Sequence, residues 1–167
     1  TGAEGPDPDV TLLASITNQV AFLLHRGNIR LKAATAPAGV GWTDLNPPQR
    51  SVGGLCVADG AGTIWYRTAD KKLVRWRGKE FEPLPVAAGL DEQLVESMTT
   101  DPAGRLWVGT ERDLWVWEEE KFQIMTPTNA APPVGVNLLA VAADGSCWVL
   151  SDGQVRKAQG RRWVLEA

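Results

Sequence analysis

The chain is poor in the residues that most enzymes and metalloproteins rely on. Its 167 residues hold one histidine, His25, and two cysteines, Cys56 and Cys147. A His- or Cys-ligated metal centre needs more of both. A lone His with no carboxylate or thiol beside it in sequence is a poor catalytic base. The apolar runs, Val20 to Leu24 among them, fall far short of the roughly 20 residues that span a bilayer. An excess of positive charge is also missing. Lys and Arg number 17 against 20 Asp and Glu, for a net charge of -3, which argues against a nucleic-acid footprint. No G-x-S-x-G, P-loop, H-E-x-x-H or EF-hand pattern occurs. Asp59-Gly60-Ala61-Gly62 lacks the further acidic ligands of a calcium loop and reads as a turn. No catalytic residue, metal or cofactor is expected, nor membrane insertion of this segment.

Tryptophan is abundant instead. There are 8 Trp beside 1 Tyr and 3 Phe, with 17 Gly and 11 Pro. Many turns and many Trp suggest a repeat of short strands. Ala61 to Tyr66, Ala103 to Val108 and Asp144 to Val149 align on Trp65, Trp107 and Trp148, which lie 42 and 41 residues apart. A step of 43 back from Trp65 reaches Phe22, in a divergent first copy. Before each aromatic comes an apolar strand and a turn, Asp59 to Gly62 or Asp101 to Gly104, for example. Unit four reads as one residue shorter at this turn. A third strand follows, then a fourth around Trp42, Phe81, Phe122 and Trp163.

The period matches the roughly 40–45 residues of a propeller blade. Ile64-Trp65-Tyr66 and Leu106-Trp107-Val108 are apolar without alternation, as a strand covered on both faces should be. The expected fold is therefore all-β: a β-propeller-type array of four four-stranded antiparallel blades, over about 10–46, 52–85, 94–126 and 137–166. Residues 1–9 read as a linker or flexible N-terminus. Phe22, Trp65, Trp107 and Trp148 are the expected blade core, with Trp42 and Trp163 partly exposed. Cys56 and Cys147 fall in units separated by a whole blade, so they read as free buried thiols. Glu118-Glu119-Glu120 reads as a solvated tip.

The run Asp101-Pro102-Ala103-Gly104-Arg105-Leu106-Trp107-Val108-Gly109-Thr110, followed by Leu114, resembles the two-component regulator propeller repeat, with its D-x-x-G-x-L-W-V-G-T core. Asp113 stands where that family has Gly, and Tyr66-Arg67-Thr68 replaces V-G-T in unit two. A tectonin-type lectin repeat also carries blade Trp residues, but lacks this run. The resemblance implies a non-catalytic sensor or ligand-recognition module in the periplasm or outside the cell, as in bacterial two-component regulators, with a saccharide as a candidate ligand. Trp76 or Trp117 could offer an aromatic platform for one.

Function tends to reside on loops. In a propeller, the turns between second and third strands share an end with the connectors between blades. Arg67, Asp70, Arg112, Asp113 and Asp152 lie there and are the candidate ligand-binding residues. A small hydroxyl recurs three residues after the central Trp (Thr68, Thr110, Ser151), placed to bond the turn backbone. His25 holds the same place in unit one and reads as a turn or rim residue. Four blades are few for a closed ring, and the end blades would leave apolar faces open. Two partner arrangements follow: a homodimer forming an eight-blade ring through its terminal blades, or a ring completed by the remaining blades of a parent protein. The alternative function is an oligomerisation or protein-docking scaffold without a small ligand.

Overall fold

The computed structural model describes residues 10–16, 19–24, 29–33, 41–45, 47, 55–84, 90, 94–127, 135–159 and 162–166. They form sixteen strands and, among the described residues, no helix. The first sheet holds β1 (Val10–Ile16), β2 (Gln19–Leu24), β3 (Ile29–Ala33) and β4 (Trp42–Leu45). The second holds β5 (Cys56–Ala58), β6 (Ile64–Arg67), β7 (Leu73–Trp76) and β8 (Phe81–Pro83). In the third are β9 (Val95–Thr100), β10 (Leu106–Thr110), β11 (Leu114–Glu118) and β12 (Lys121–Ile124), and in the fourth β13 (Asn137–Val141), β14 (Ser146–Ser151), β15 (Gln154–Gln159) and β16 (Arg162–Glu166). Each sheet is an antiparallel meander in chain order. The first strands stand side by side, β1 against β5, β5 against β9, β9 against β13. The chain is thus an all-β array of four stacked blades.

Between the blades lie three apolar layers, and the central strands explain why those strands are apolar on both faces. Tyr66 and Ile64 join Ile29, Leu31 and Leu45 of the first sheet. Trp65, on the opposite face of β6, joins Val95, Leu106, Val108 and Phe122 of the third. Leu106 and Val108 face back toward the second sheet, while Trp107 joins Val141, Cys147 and Val149 of the fourth. Trp65 is fully buried, with Trp117 and Phe122 edge-on at 5.0 and 6.1 Å between ring centres. Such aromatic pairs add about 0.5–1.5 kcal/mol beyond area burial. Cys56 and Cys147 are free, buried and in different layers. Burial pushes the Cys147 thiol up to about 12 and raises that of Cys56 as well.

Three expectations are corrected. The turn of unit four is not shorter: Ala142 N–H donates to Ser146 O and Gly145 N–H to Ala142 O, just as Asp101 and Gly104 do in unit three. Ala142 occupies the Asp position, and Asp144, two residues later, instead accepts from Ser146 N–H. Trp163 is buried, 8% exposed, because the third-sheet layer covers it. The Glu118–Glu120 tip is not merely solvated. Glu120 reaches back to the second sheet, pairing with Arg75 at 2.7 Å and with Arg77. Glu118 pairs with Arg105 at 2.7 Å. Trp42 is in β4, its side chain outside the described residues, as are residues 1–9 and His25.

The turn aspartates hold the central Trp residues. Asp59 Oδ2 accepts from Trp65 Nε1 at 2.8 Å, and Asp101 Oδ2 from Trp107 Nε1 at 3.1 Å. Burial alone would raise the Asp101 carboxyl, but the Trp107 indole and the Arg105 backbone and guanidinium outweigh it, holding it below its ordinary 3.8. A depressed carboxylate contributes stability that is whole above that ordinary value and is lost as pH falls through the folded one. The melting temperature is therefore expected to drop as pH falls below about 4. Asp101→Asn should lower it at pH 7 and flatten that acid limb; an unchanged limb in scans at several pH values refutes the assignment.

Candidate functional site

One end of the array is built by the turns between second and third strands and by the strand starts that follow them. The recurring hydroxyl closes the turns of the second and third blades. Thr68 Oγ1 accepts from Lys72 N–H at 3.1 Å and donates to Asp70 Oδ1 at 2.5 Å. Thr110 Oγ1 accepts from Asp113 N–H at 2.9 Å and donates to Asp113 O at 3.0 Å. Ser151 is buried at the equivalent place. Each turn then anchors the next blade: Val95 N–H donates to Lys71 O at 3.0 Å, and Val136 N–H to Thr110 O at 2.8 Å.

The five candidate residues are spread over three blades at this end, and the structure gives them different duties. Arg67 ends β6 and donates Nη1 to Val95 O at 3.2 Å and Glu96 O at 3.5 Å, clamping the third blade to the second. Asp113 accepts from Thr126 Oγ1 at 2.9 Å, tying β11 to the chain after β12. Asp70 is exposed, and the Thr68 hydroxyl holds its carboxyl below the usual range. Arg112 is exposed, its side chain 75% accessible and 3.8 Å from Glu111. Asp152 is exposed in a tight turn with φ of 50°. The connectors 85–89, 91–93 and 128–134 lie outside the described residues.

The blade-core residues also differ. Trp65 and Trp107 are buried in layers between blades, whereas Trp148 is half-buried on the outer face of the fourth sheet, with Lys157 Nζ 5.5 Å from its ring centre. Phe22 pairs with Leu12 and Arg30 within its sheet, and its side chain lies outside the described residues. Trp117 is no open platform, since its ring packs on Trp65 and under Arg75. Trp76 packs against the layer between the first two blades. Among the described residues no group of three or more His, Cys, Asp or Glu could hold a metal.

Two glycines of the motif serve blade contact. A Cβ on Gly109 would lie 2.2 Å from Val136 O and 2.5 Å from Ser97 Oγ. Gly104, at φ +80°, stacks on Gly60 of the preceding blade, whose N–H donates to Gly104 O at 2.6 Å. Every fixed position of the D-x-x-G-x-L-W-V-G-T run is thus a turn or docking position. Residues 89–112 match the family described as two component regulator propeller. The match is to one repeat, within the third blade. The repeat accounts for the third blade from its approach through β10.

Solved structures agree in fold. The extracellular domain of a hybrid two component system from B. thetaiotaomicron superposes with a TM-score of 0.61 at 16% identity, over 100% of this chain and 23% of that one. The WD40 β-propeller domain of Doa1 gives 0.61 at 16% identity, over 98% of this chain and 56% of that one. A virginiamycin B lyase from Staphylococcus aureus, with quinupristin, gives 0.60 at 15% identity, over 96% and 56%. The chain therefore spans about a quarter of the first and little more than half of the others. No curated protein matches it by sequence. Among the described residues no helix is long and apolar enough to cross a membrane.

Proposed function

We propose that this chain is a non-catalytic recognition part of an extracytoplasmic sensor propeller. The observation that carries the reading is the two component regulator propeller repeat at 89–112, in a chain that superposes along its length on an extracellular two component domain. The proposed ligand face is the end where the second-to-third-strand turns meet the blade connectors. Arg67 and Asp113 shape it by fixing the backbone, and Arg112, Asp70 and Asp152 offer exposed charge of both signs. Such a set suits a polyhydroxylated ligand, a saccharide: its hydroxyls accept from Arg112 and donate to the carboxylates.

A thermal-shift screen with oligosaccharides, followed by titration calorimetry, tests this. Arg112→Ala and Asp152→Ala should each weaken binding about tenfold or more, as loss of a hydrogen bond to a charged group would, with little change in melting temperature. A panel that gives no shift, or affinities indifferent to both substitutions, defeats the reading. A second reading, a docking scaffold without a small ligand, is favoured by one observation: Trp148 and Leu150 on the half-open outer face of the fourth sheet.

A further inference from the structure

The chain holds three Asp-Gly pairs, Asp59-Gly60, Asp144-Gly145 and Asp152-Gly153, and no Asn-Gly. An Asp-Gly pair can cyclise without an enzyme. The Gly amide nitrogen attacks Cγ of the Asp, and the carboxyl hydroxyl leaves with the amide proton as water. Gly presents no side chain against that attack. Two conditions govern the rate in a folded chain. The carboxyl must be free to turn and take up a proton, and the amide N–H must be free of an acceptor.

Two of the pairs meet neither condition. Asp59 Oδ1 accepts from the N–H groups of Ala61 and Thr63 at 3.0 and 2.9 Å, and its Oδ2 from the Trp65 indole. Gly60 N–H donates to Gly104 O at 2.6 Å. Asp144 Oδ1 accepts from Ser146 N–H at 2.9 Å, and Ser146 holds its carboxyl below the usual range. Gly145 N–H donates to Ala142 O at 2.9 Å. Both pairs are locked at the carboxylate and at the nitrogen.

Asp152-Gly153 is locked at neither. The pair forms the whole loop between β14 and β15, since Ser151 pairs with Gln154. Asp152 has φ of 50° and Gly153 of 74°. A two-residue hairpin turn of this mirror-image type needs positive φ at both places, which favours Asp-Gly. Such a turn is closed by the residues on either side of it, and the Gly153 amide is left over. Among the described residues the Asp152 carboxylate has no hydrogen bond or ion pair, and Gly153 N–H has no acceptor. Both residues are exposed. The conformation that selects this dipeptide is thus also what frees its reactive atoms.

We propose that, of the three pairs, Asp152-Gly153 is the one that ages through a succinimide to isoaspartate. Water opens the ring at either carbonyl. Cleavage between Cγ and the nitrogen restores aspartate. Cleavage between the main-chain carbonyl carbon and the nitrogen leaves the chain running through Cγ, with the carboxylate on Cα. The water lost in closure is regained in opening, so no reagent is consumed and the charge is unchanged. The two-residue loop gains one main-chain carbon, and a carboxylate of the proposed ligand face moves onto a shorter stem.

The test holds the full chain folded in mildly acidic buffer and digests it at intervals. The three Asp-Gly peptides are followed by mass spectrometry with electron-transfer fragmentation, which separates isoaspartate from aspartate. Asp152 should convert about tenfold or more faster than Asp59 and Asp144, whose hydrogen bonds must first open. In urea the three rates should converge, because the difference comes from the fold. Asp152→Glu should abolish the signal in its peptide, since Glu closes only a larger and slower ring. Equal rates in the folded chain, an order that survives in urea, or a signal that persists in Asp152→Glu overturns the assignment. The readout needs no ligand, so its outcome is separate from that of the saccharide titrations.

Discussion

Trp65→Ala is expected to destabilise the chain by about 3–5 kcal/mol, the range for truncating a large buried aromatic. The side chain is fully buried and fills the layer between the second and third blades. Its loss removes the ring contacts to Trp117 and Phe122 and leaves Asp59 Oδ2 without its indole donor. A chain of this size shifts by about 2–4 °C per kcal/mol, so the melting temperature should fall by roughly 6–20 °C. Trp148→Ala is the internal comparison. That ring is half-buried and has Ala142 where Trp65 has Asp59, so it should cost well under half as much. Equal losses for the two, measured by calorimetry, would contradict the placement of Trp65 inside a layer and Trp148 on the outer face of the fourth sheet.

Gly109→Ala should part the third and fourth blades. Its added methyl meets a backbone carbonyl at 2.2 Å, and no rotamer relieves that. Overpacking alone costs about 1–3 kcal/mol. Here the atom that must move, Val136 O, also accepts from Ser97 Oγ at 3.1 Å, while Val136 N–H is held by Thr110 O. The expected loss is about 3 kcal/mol or more, the upper end of that range with weakened hydrogen bonds added. The two thiols report where the damage falls. Cys147 belongs to the layer between the third and fourth blades and Cys56 to that between the first and second. In Gly109→Ala the alkylation of Cys147 should accelerate while that of Cys56 stays slow. Uniform acceleration of both, or of neither, would show that the contact is not local.

The fold was legible because its signal is periodic and local. The Trp spacing, the turn residues before each Trp and the doubly apolar strands all arise within one blade, and they led to sixteen strands in four sheets. What escaped was pairwise between blades. Glu120 looks like any acidic tip until β7 brings Arg75 and Arg77 to it. Arg67 looks like a departure from V-G-T, yet its guanidinium reaches the carbonyl of Glu96, which has the place in its blade that Val136 has in the next. The turn of unit four read as one residue shorter because its Asp144 stands only four residues before Trp148, whereas the place of Asp101, six before Trp107, is held by Ala142. The candidate site was legible as a location, since the turns are set by Thr68 and Thr110. It was not legible as a set of free side chains, because hydrogen bonds that occupy Arg67 and Asp113 come from residues distant in sequence.

The main-chain contact between Gly60 and Gly104 makes the blades non-interchangeable despite their common ancestry of form. Gly60 has Pro102 and Ala143 as its counterparts in the third and fourth units, and neither could stand where its bare Cα stands. A gene rearranged to exchange the second and third units would keep every strand, every turn and every central Trp, and still bring a side chain into a space sized for hydrogen. The order of the units is therefore written in the smallest residues of the chain.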